Sequence, residues 1–344
     1  MNIAIVNNCV PFIKGGAEFL ADGLRDRLAE YGHRAMVVKI PFAWDPPSRI
    51  PEHMLACRLL RLENIDRVIA LKFPAYYIHH PDKVLWLVHQ FRQVYDLWDT
   101  PYRGMAKSPD CLRIRDSITG SDNDFLGKVK KRYAISKLVA GRLRKFNNLD
   151  STVLYPPLDE PQKYSCTEYG DYVFYPSRIV RSKRQGLAVE SMKYVRSSAK
   201  LVIAGNPDSK AELDHLEATV RKNNLGERVR IISRWISQEE KISLFAGALG
   251  CMFIPYDEDY GYVSLEAFYS HKPLITCTDS GGPLEFVDHK INGFVVDPEP
   301  KAIAGVIDDL FMNRSTAEKM GQAGHEKIRA MDITWHKTIT KLTE

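Results

Sequence analysis

An α/β fold of two Rossmann-like domains is predicted by three observations on this 344-residue chain. The N-terminus reads strand, glycine loop, helix, strand. A second strand–helix series begins near residue 171, and Pro156-Pro157 stands between the two series. Alternating β and α segments need crossover connections, and these build parallel sheets. At roughly 150 residues per domain the length suits two domains, each able to bury its own core.

Residues 2–6 read as a buried strand. Gly15-Gly16 leads into a helix over 17–31, with Leu20, Leu24 and Leu28 on one face and Gly32 at its end. Strands are expected at 35–40, 67–71, 84–89, 132–135 and 152–154. The segment 95–127 has no clear periodicity and contains Thr100-Pro101, Gly104, Ser108-Pro109 and Gly120, so it is expected to be irregular. In the second series, strands are expected at 172–175, 200–204, 228–232, 250–254, 273–276 and 293–296. Helices are expected at 185–192, 239–246, 265–269 and 301–311. Two prolines fit neither a helix interior nor a central strand, so 155–159 is the expected connector. The domains are then 1–157 and 158–330, facing a cleft.

Composition narrows the function classes. Hydrophobic residues make up 44% and charged residues 26%, ordinary for a globular chain, which excludes bulk disorder. Residues 1–158 hold 24 Lys and Arg against 16 Asp and Glu, and the remainder holds 24 against 27. The positive excess of the N-terminal half favours an anionic partner there. The cysteines at 9, 57, 111, 166, 251 and 277 form no C-x-x-C pair. That speaks against a disulfide framework or a zinc site and suits a reducing compartment. The first residues lack the basic n-region of a signal peptide, and no apolar run nears the ~18 residues that span a bilayer. A cytoplasmic location is expected.

The segment 255–267, Pro-Tyr-Asp-Glu-Asp-Tyr-Gly-Tyr-Val-Ser-Leu-Glu-Ala, carries the most chemistry. It follows a strand and enters a helix. Gly261 permits a close turn, after which Tyr262, Val263 and Ser264 offer N–H groups without intrahelical partners, a setting that attracts phosphate. Glu258 precedes the turn and Glu266 falls in the first helical turn, so both can face one ligand. Carboxylates are strong acceptors for hydroxyl pairs such as those of a ribose or a hexose.

Read as Glu258-Asp-Tyr-Gly-Tyr-Val-Ser-Leu-Glu266-Ala, this segment resembles the E-x7-E motif of glycosyltransferase family 4, the retaining nucleotide-sugar transferases of GT-B fold. Tyr175-Pro-Ser-Arg178 through Lys183 and Gly186 resembles that family's G-R-x-x-x-x-K-G region. Leu201-Val-Ile-Ala-Gly205 resembles its L-x-I-x-G strand, and Gly281-Gly-Pro-Leu-Glu285 with Asn292-Gly293 its closing signature. In the first domain Gly15-Gly16-Ala17-Glu18 resembles the family's glycine loop, and His89 stands where members often carry a histidine. The tail 331–344 resembles its C-terminal helix, which packs back on the N-terminal domain. The resemblance departs at Asp259, where glycine is usual, at Pro255-Tyr256, where Pro-Ser is usual, at Pro176-Ser177, where Val-Gly is common, and at Ser270-His271-Lys272 before Pro273.

The resemblance implies transfer of a hexose-type unit from a nucleoside diphosphate sugar to a hydroxyl of a glycan or lipid-linked acceptor, as in cell-surface polysaccharide synthesis. Glu258, Arg178, Lys183 and His89 are the implied catalytic residues. Gly16, Gly261, Tyr262, Val263, Ser264 and Glu266 are the implied donor contacts. Gly15, Glu18 and Gln90 are the acceptor-side candidates. Neither a cofactor nor a metal is expected: Asp257-Glu-Asp259 and Asp122-Asn-Asp124 read D-x-D, but such triplets are common, and His79, His80 and His271 lack partners at ligand spacing. The basic stretch 128–145 suits an anionic membrane surface, with a solvated helix flank as the alternative. Tyr76, Tyr77, Phe91, Tyr95 and Trp98 suit sugar stacking or core packing. Nucleic acid is not an expected partner. A GT-B nucleotide-sugar epimerase and a non-catalytic sugar-nucleotide-binding protein remain open. A dinucleotide oxidoreductase lacks the G-x-G-x-x-G its first turn would need.

Overall fold

The computed structural model describes residues 1–11 and 15–344. The chain forms two compact units, 1–157 joined by 333–344, and 158–332.

Unit 1 is a six-stranded parallel sheet in the order β2-β1-β3-β4-β5-β6, from β1 (Asn2–Cys9), β2 (Arg34–Pro41), β3 (Arg67–Lys72), β4 (Lys83–His89), β5 (Lys131–Ala134) and β6 (Thr152–Val153). Ile3, Ala4, Ile5 and Val6 are fully buried, as expected of a strand covered on both faces. Helix α1 (Gly16–Glu30) starts where Oε2 of Glu18 accepts the N–H of Gly15 at 2.8 Å, and it buries Leu20, Leu24 and Leu28. Helix α2 spans Ile50–Leu59.

The segment 95–127 is not irregular throughout: Pro109–Gly127 is helix α3. Ser108 caps it by accepting the N–H of Cys111 at 3.2 Å, and Pro109 suits the first helical position. Its buried positions are Cys111, Ile118, Asp122 and Leu126, so a carboxylate interrupts the apolar stripe. The basic stretch 128–145 is likewise no single amphipathic face. It is split between β5 and helix α4 (Lys137–Asn147), and Arg142 is buried, 3.5 Å from Asp96. Tyr76, Tyr77, Phe91, Tyr95 and Trp98 are all buried, which makes them core residues.

The C-terminal tail is shorter as a helix than 331–344. Thr334 caps α11 (Trp335–Thr343), which belongs to unit 1. Ile339 and Leu342 are buried there, and the nearly buried Arg67 donates to the carbonyls of Leu342 (3.0 Å) and Glu344 (2.9 Å), neutralising the helix C-terminus.

Unit 2 holds β7 (Tyr172–Pro176), β8 (Lys200–Ala204), β9 (Val229–Ile232), β10 (Gly250–Met252), β11 (Leu274–Cys277) and β12 (Gly293–Val296) in the parallel order β12-β11-β10-β7-β8-β9. Its helices are α5 (Gln185–Ser191), α6 (Lys210–Lys222), α7 (Gln238–Ala246), α8 (Tyr262–Tyr269), α9 (Pro300–Met312) and α10 (Arg314–Ala330). Helix α6 fills the interval between β8 and β9, where the alternation calls for a helix without fixing its bounds, and α10 has no counterpart in the sequence pattern. Both are rich in charged residues and bury few apolar ones, Leu216 and Val220 in α6.

Candidate active site

In unit 2 the strand order reverses between β7 and β10. Ligands of open parallel sheets sit outside the carboxyl ends of the strands at such a reversal. The loops leaving these two strands carry Arg178, Lys183 and the segment 255–261.

Lys183 and Glu258 meet there. The Lys183 ammonium donates to Oε2 of Glu258, and it lies 5.2 Å from the centroid of the Phe253 ring. Glu258 is held by its own backbone. Its N–H donates to the Ser280 carbonyl at 3.0 Å, and its carbonyl accepts from Gly282 at 2.7 Å. That approach requires glycine: at Gly281 (φ +73°) a Cβ would lie 2.7 Å from the Glu258 carbonyl oxygen. Arg178 stands apart. It is solvent-exposed and pairs with Asp208 at 2.9 Å, and no described contact joins it to Lys183 or Glu258.

Gly261 (φ +88°) starts α8 in the left-handed region, and a Cβ there would lie 2.9 Å from the Phe253 ring. The helix therefore begins at Tyr262, earlier than the periodicity indicates. Glu266 is its fifth residue and not in its first turn. The N–H groups of Tyr262 and Val263 keep no intrahelical acceptor. That of Ser264 does not stay open, because the first turn closes tightly and it donates to the Gly261 carbonyl at 3.0 Å. Among the described residues the buried Ser264 hydroxyl has no hydrogen-bond partner.

Glu266 is 5% exposed, and its orientation is set by residues the sequence reading missed. Oε1 accepts from the Tyr164 hydroxyl at 3.0 Å and from the Lys241 ammonium at 2.5 Å, while the Gln238 amide donates to the Tyr164 hydroxyl at 2.7 Å. Burial, then the Glu266 carboxylate, pushes the Tyr164 phenol far above its ordinary range, so it stays a donor. Ser237 accepts the N–H of Glu240 at 3.1 Å and so starts α7, which presents Gln238 and Lys241. Arg184 and Asp279 were missed as well. They form a bidentate ion pair at 2.7 and 2.9 Å.

In unit 1 the strand order turns at β1, and Glu18 and Lys72, from the connections after β1 and at the end of β3, pair across it at 2.8 Å. Burial alone would raise the Glu18 carboxyl. The Lys72 ammonium, its hydrogen bond and the N–H of Gly15 outweigh that and hold it below the usual value. Both Glu18 oxygens are thus engaged, one capping α1 and one on Lys72. Gly15 is extended at φ −135°, a conformation open to any residue, and Gly16 is the first residue of α1. His89 ends β4, and its Nδ1–H donates to the Gln90 carbonyl at 2.6 Å. Gln90 is buried, with its amide on Asn147, which places it in the interior. Among the described residues the buried Asn7 amide on β1 has no hydrogen-bond partner. Among the described residues no three His, Cys, Asp or Glu side chains are grouped to hold a metal, and no helix is long and apolar enough to cross a membrane.

Two such parallel sheets with helices give the chain the GT-B fold, and its comparisons with known proteins make it a glycosyltransferase. Residues 159–327 match the family model described as glycosyl transferases group 1. The chain is 27% identical to human alpha-1,3/1,6-mannosyltransferase ALG2 over 301 residues, covering 78% of this chain and 67% of that one. Two solved structures share the fold. Sucrose-phosphate synthase from Thermosynechococcus elongatus superposes with a TM-score of 0.81 at 17% identity, covering 99% of this chain and 97% of that one. Anabaena Alr3699/HepE, in complex with UDP and glucose, superposes with 0.74 at 15%, covering 100% and 98%.

Proposed function

We propose that this glycosyltransferase is a retaining enzyme of family 4 type that moves a hexose from a nucleoside diphosphate sugar to a hydroxyl of a glycan or lipid-linked acceptor. The observation that carries the proposal is the grouping at the β7/β10 reversal: Lys183 on Glu258, the open start of α8, and Glu266 with one oxygen held. Glu266 receives the ribose hydroxyls and Glu258 the hexose. The diphosphate takes the N–H groups of Tyr262 and Val263 and the ammonium of Lys183. As the glycosidic bond to phosphate breaks, negative charge grows on the leaving diphosphate, and these fixed groups stabilise it. No side chain is assigned as a nucleophile. In front-face attack the acceptor proton passes to the leaving phosphate. The acceptor is assigned to unit 1, near His89 and the Gly15 turn.

Two relatives support the reading: one is named a mannosyltransferase and one is titled as a complex with UDP and glucose. The test is ligand-detected NMR with UDP, GDP, ADP, dTDP and NAD, followed by turnover with the sugar nucleotides of whichever base binds. Selective binding of one nucleoside diphosphate, and its release only when an acceptor is present, is the expected result. Sugar interconversion without an acceptor would make the chain an epimerase. Binding of NAD alone would overturn the proposal.

A further inference from the structure

We propose that Arg184 is a positioning residue that fixes Lys183 against Glu258 and so aims the ammonium at the donor diphosphate; this rests on the functional reading above. The Arg184 side chain is only 10% exposed. Its Nε donates to the Ile254 carbonyl at 2.7 Å and its Nη2 to the Pro255 carbonyl at 2.7 Å. The same guanidinium closes on the Asp279 carboxylate, Nη2 to Oδ1 at 2.7 Å and Nη1 to Oδ2 at 2.9 Å.

These contacts join the three segments that place the Lys183–Glu258 pair. Residues 254–255 lead into the loop of Glu258. The Asp279 carbonyl accepts the N–H of Asp257 at 2.9 Å, next to the Ser280 carbonyl that holds Glu258. The Ser182 carbonyl, one residue before Lys183, accepts the N–H of Tyr256 at 2.8 Å. Arg184 itself is left-handed at φ +56°, a costly conformation for a side-chain-bearing residue that persists where its surroundings over-determine it. Two carbonyls and a bidentate carboxylate around one plane require the guanidinium fork. A lysine ammonium supplies the charge but not that geometry.

Loosening Arg184 would let Lys183 and Glu258 drift relative to each other, and small misplacements of a charge aimed at a reacting group are costly. The effect belongs to the diphosphate and not to the nucleoside. Wild type, R184K, D279N and K183A are titrated by calorimetry with UDP and GDP and with uridine and guanosine, and thermal melting checks each fold. Wild type is expected to prefer one diphosphate over its nucleoside, and K183A to lose most of that preference. R184K and D279N should each lose about tenfold of it, with nucleoside affinity unchanged. D279N keeps the size of aspartate and carries the test if R184K does not fold. A wild-type preference retained in both variants, or equal losses for nucleoside and diphosphate, overturns the role of Arg184. A wild type with no diphosphate preference, or a K183A that keeps it, overturns the functional reading instead.

Discussion

Tyr164 donates its phenolic hydrogen to Oε1 of Glu266 at 3.0 Å, and Lys241 donates to the same oxygen. Among the described residues no hydrogen bond reaches Oε2. The carboxylate is therefore fixed by one oxygen and offers the other, which is what a pair of ribose hydroxyls needs from an acceptor. Removing the phenol in Tyr164→Phe should weaken nucleoside diphosphate binding roughly three- to tenfold, the worth of about one hydrogen bond of ~1 kcal/mol. Glu266→Ala should weaken it further. Calorimetric titration checks both, and an affinity unchanged in Glu266→Ala would take the ribose role from Glu266.

Arg178 and Lys183 separate under substitution if the geometry governs. Lys183 is partly buried and paired with Glu258, whereas Arg178 is exposed and paired with Asp208. Lys183→Ala should lower kcat at saturating donor by about a hundredfold, the usual cost of losing one preorganised charge on a leaving group. Arg178→Ala should cost far less, because an exposed cation on a surface carboxylate acts through high dielectric. Equal losses in the two single variants would mean that both cations contact the diphosphate during turnover.

With a lysine ammonium and helix N–H groups assigned to the leaving group, turnover should not depend on a divalent ion. Dialysis against a chelator should leave the rate within about twofold, because the charge stabilisation is assigned to fixed protein groups. Loss of activity restored by Mn²⁺ would instead give Asp257 or Asp259 a ligand role.

The sheets were legible because strands covered on both faces become continuous apolar runs, such as Ile3–Val6 and Leu201–Ala204. Helix α3 was not, since the position that completes its buried stripe is Asp122, whose burial depends on three tyrosines distant in sequence. The same contrast holds for the site. Glu258, Gly261 and Glu266 lie within nine residues, so one local segment displays them. Tyr164 reaches Glu266 from 102 positions away, and Arg184 reaches Asp279 from 95. Contacts of that separation follow from sheet topology and leave no spacing in the sequence. Glu266 falls beyond the first helical turn because the helix starts at Tyr262, where Gly261 allows a left-handed turn.

Asp122 should give unit 1 an acid-stabilised component. Its carboxylate is wholly buried and accepts from Tyr76 at 2.9 Å, Tyr77 at 2.5 Å and Tyr95 at 2.7 Å. Burial pushes the Asp122 carboxyl up to about 6 from an ordinary 3.8, against the downward pull of the three hydroxyls. Between those two values the folded chain keeps a proton that the unfolded chain has lost. The stabilisation is therefore complete below about pH 4 and is lost as the pH rises through about 6. A shift of about two units corresponds to roughly 3 kcal/mol at most. Asp122→Asn has no proton to exchange. Urea unfolding of both proteins from pH 4 to pH 7 should show the wild-type stability falling relative to Asp122→Asn across this window. A difference that stays flat would mean that the three phenols keep Asp122 ionised throughout and that unit 1 folds around a buried anion.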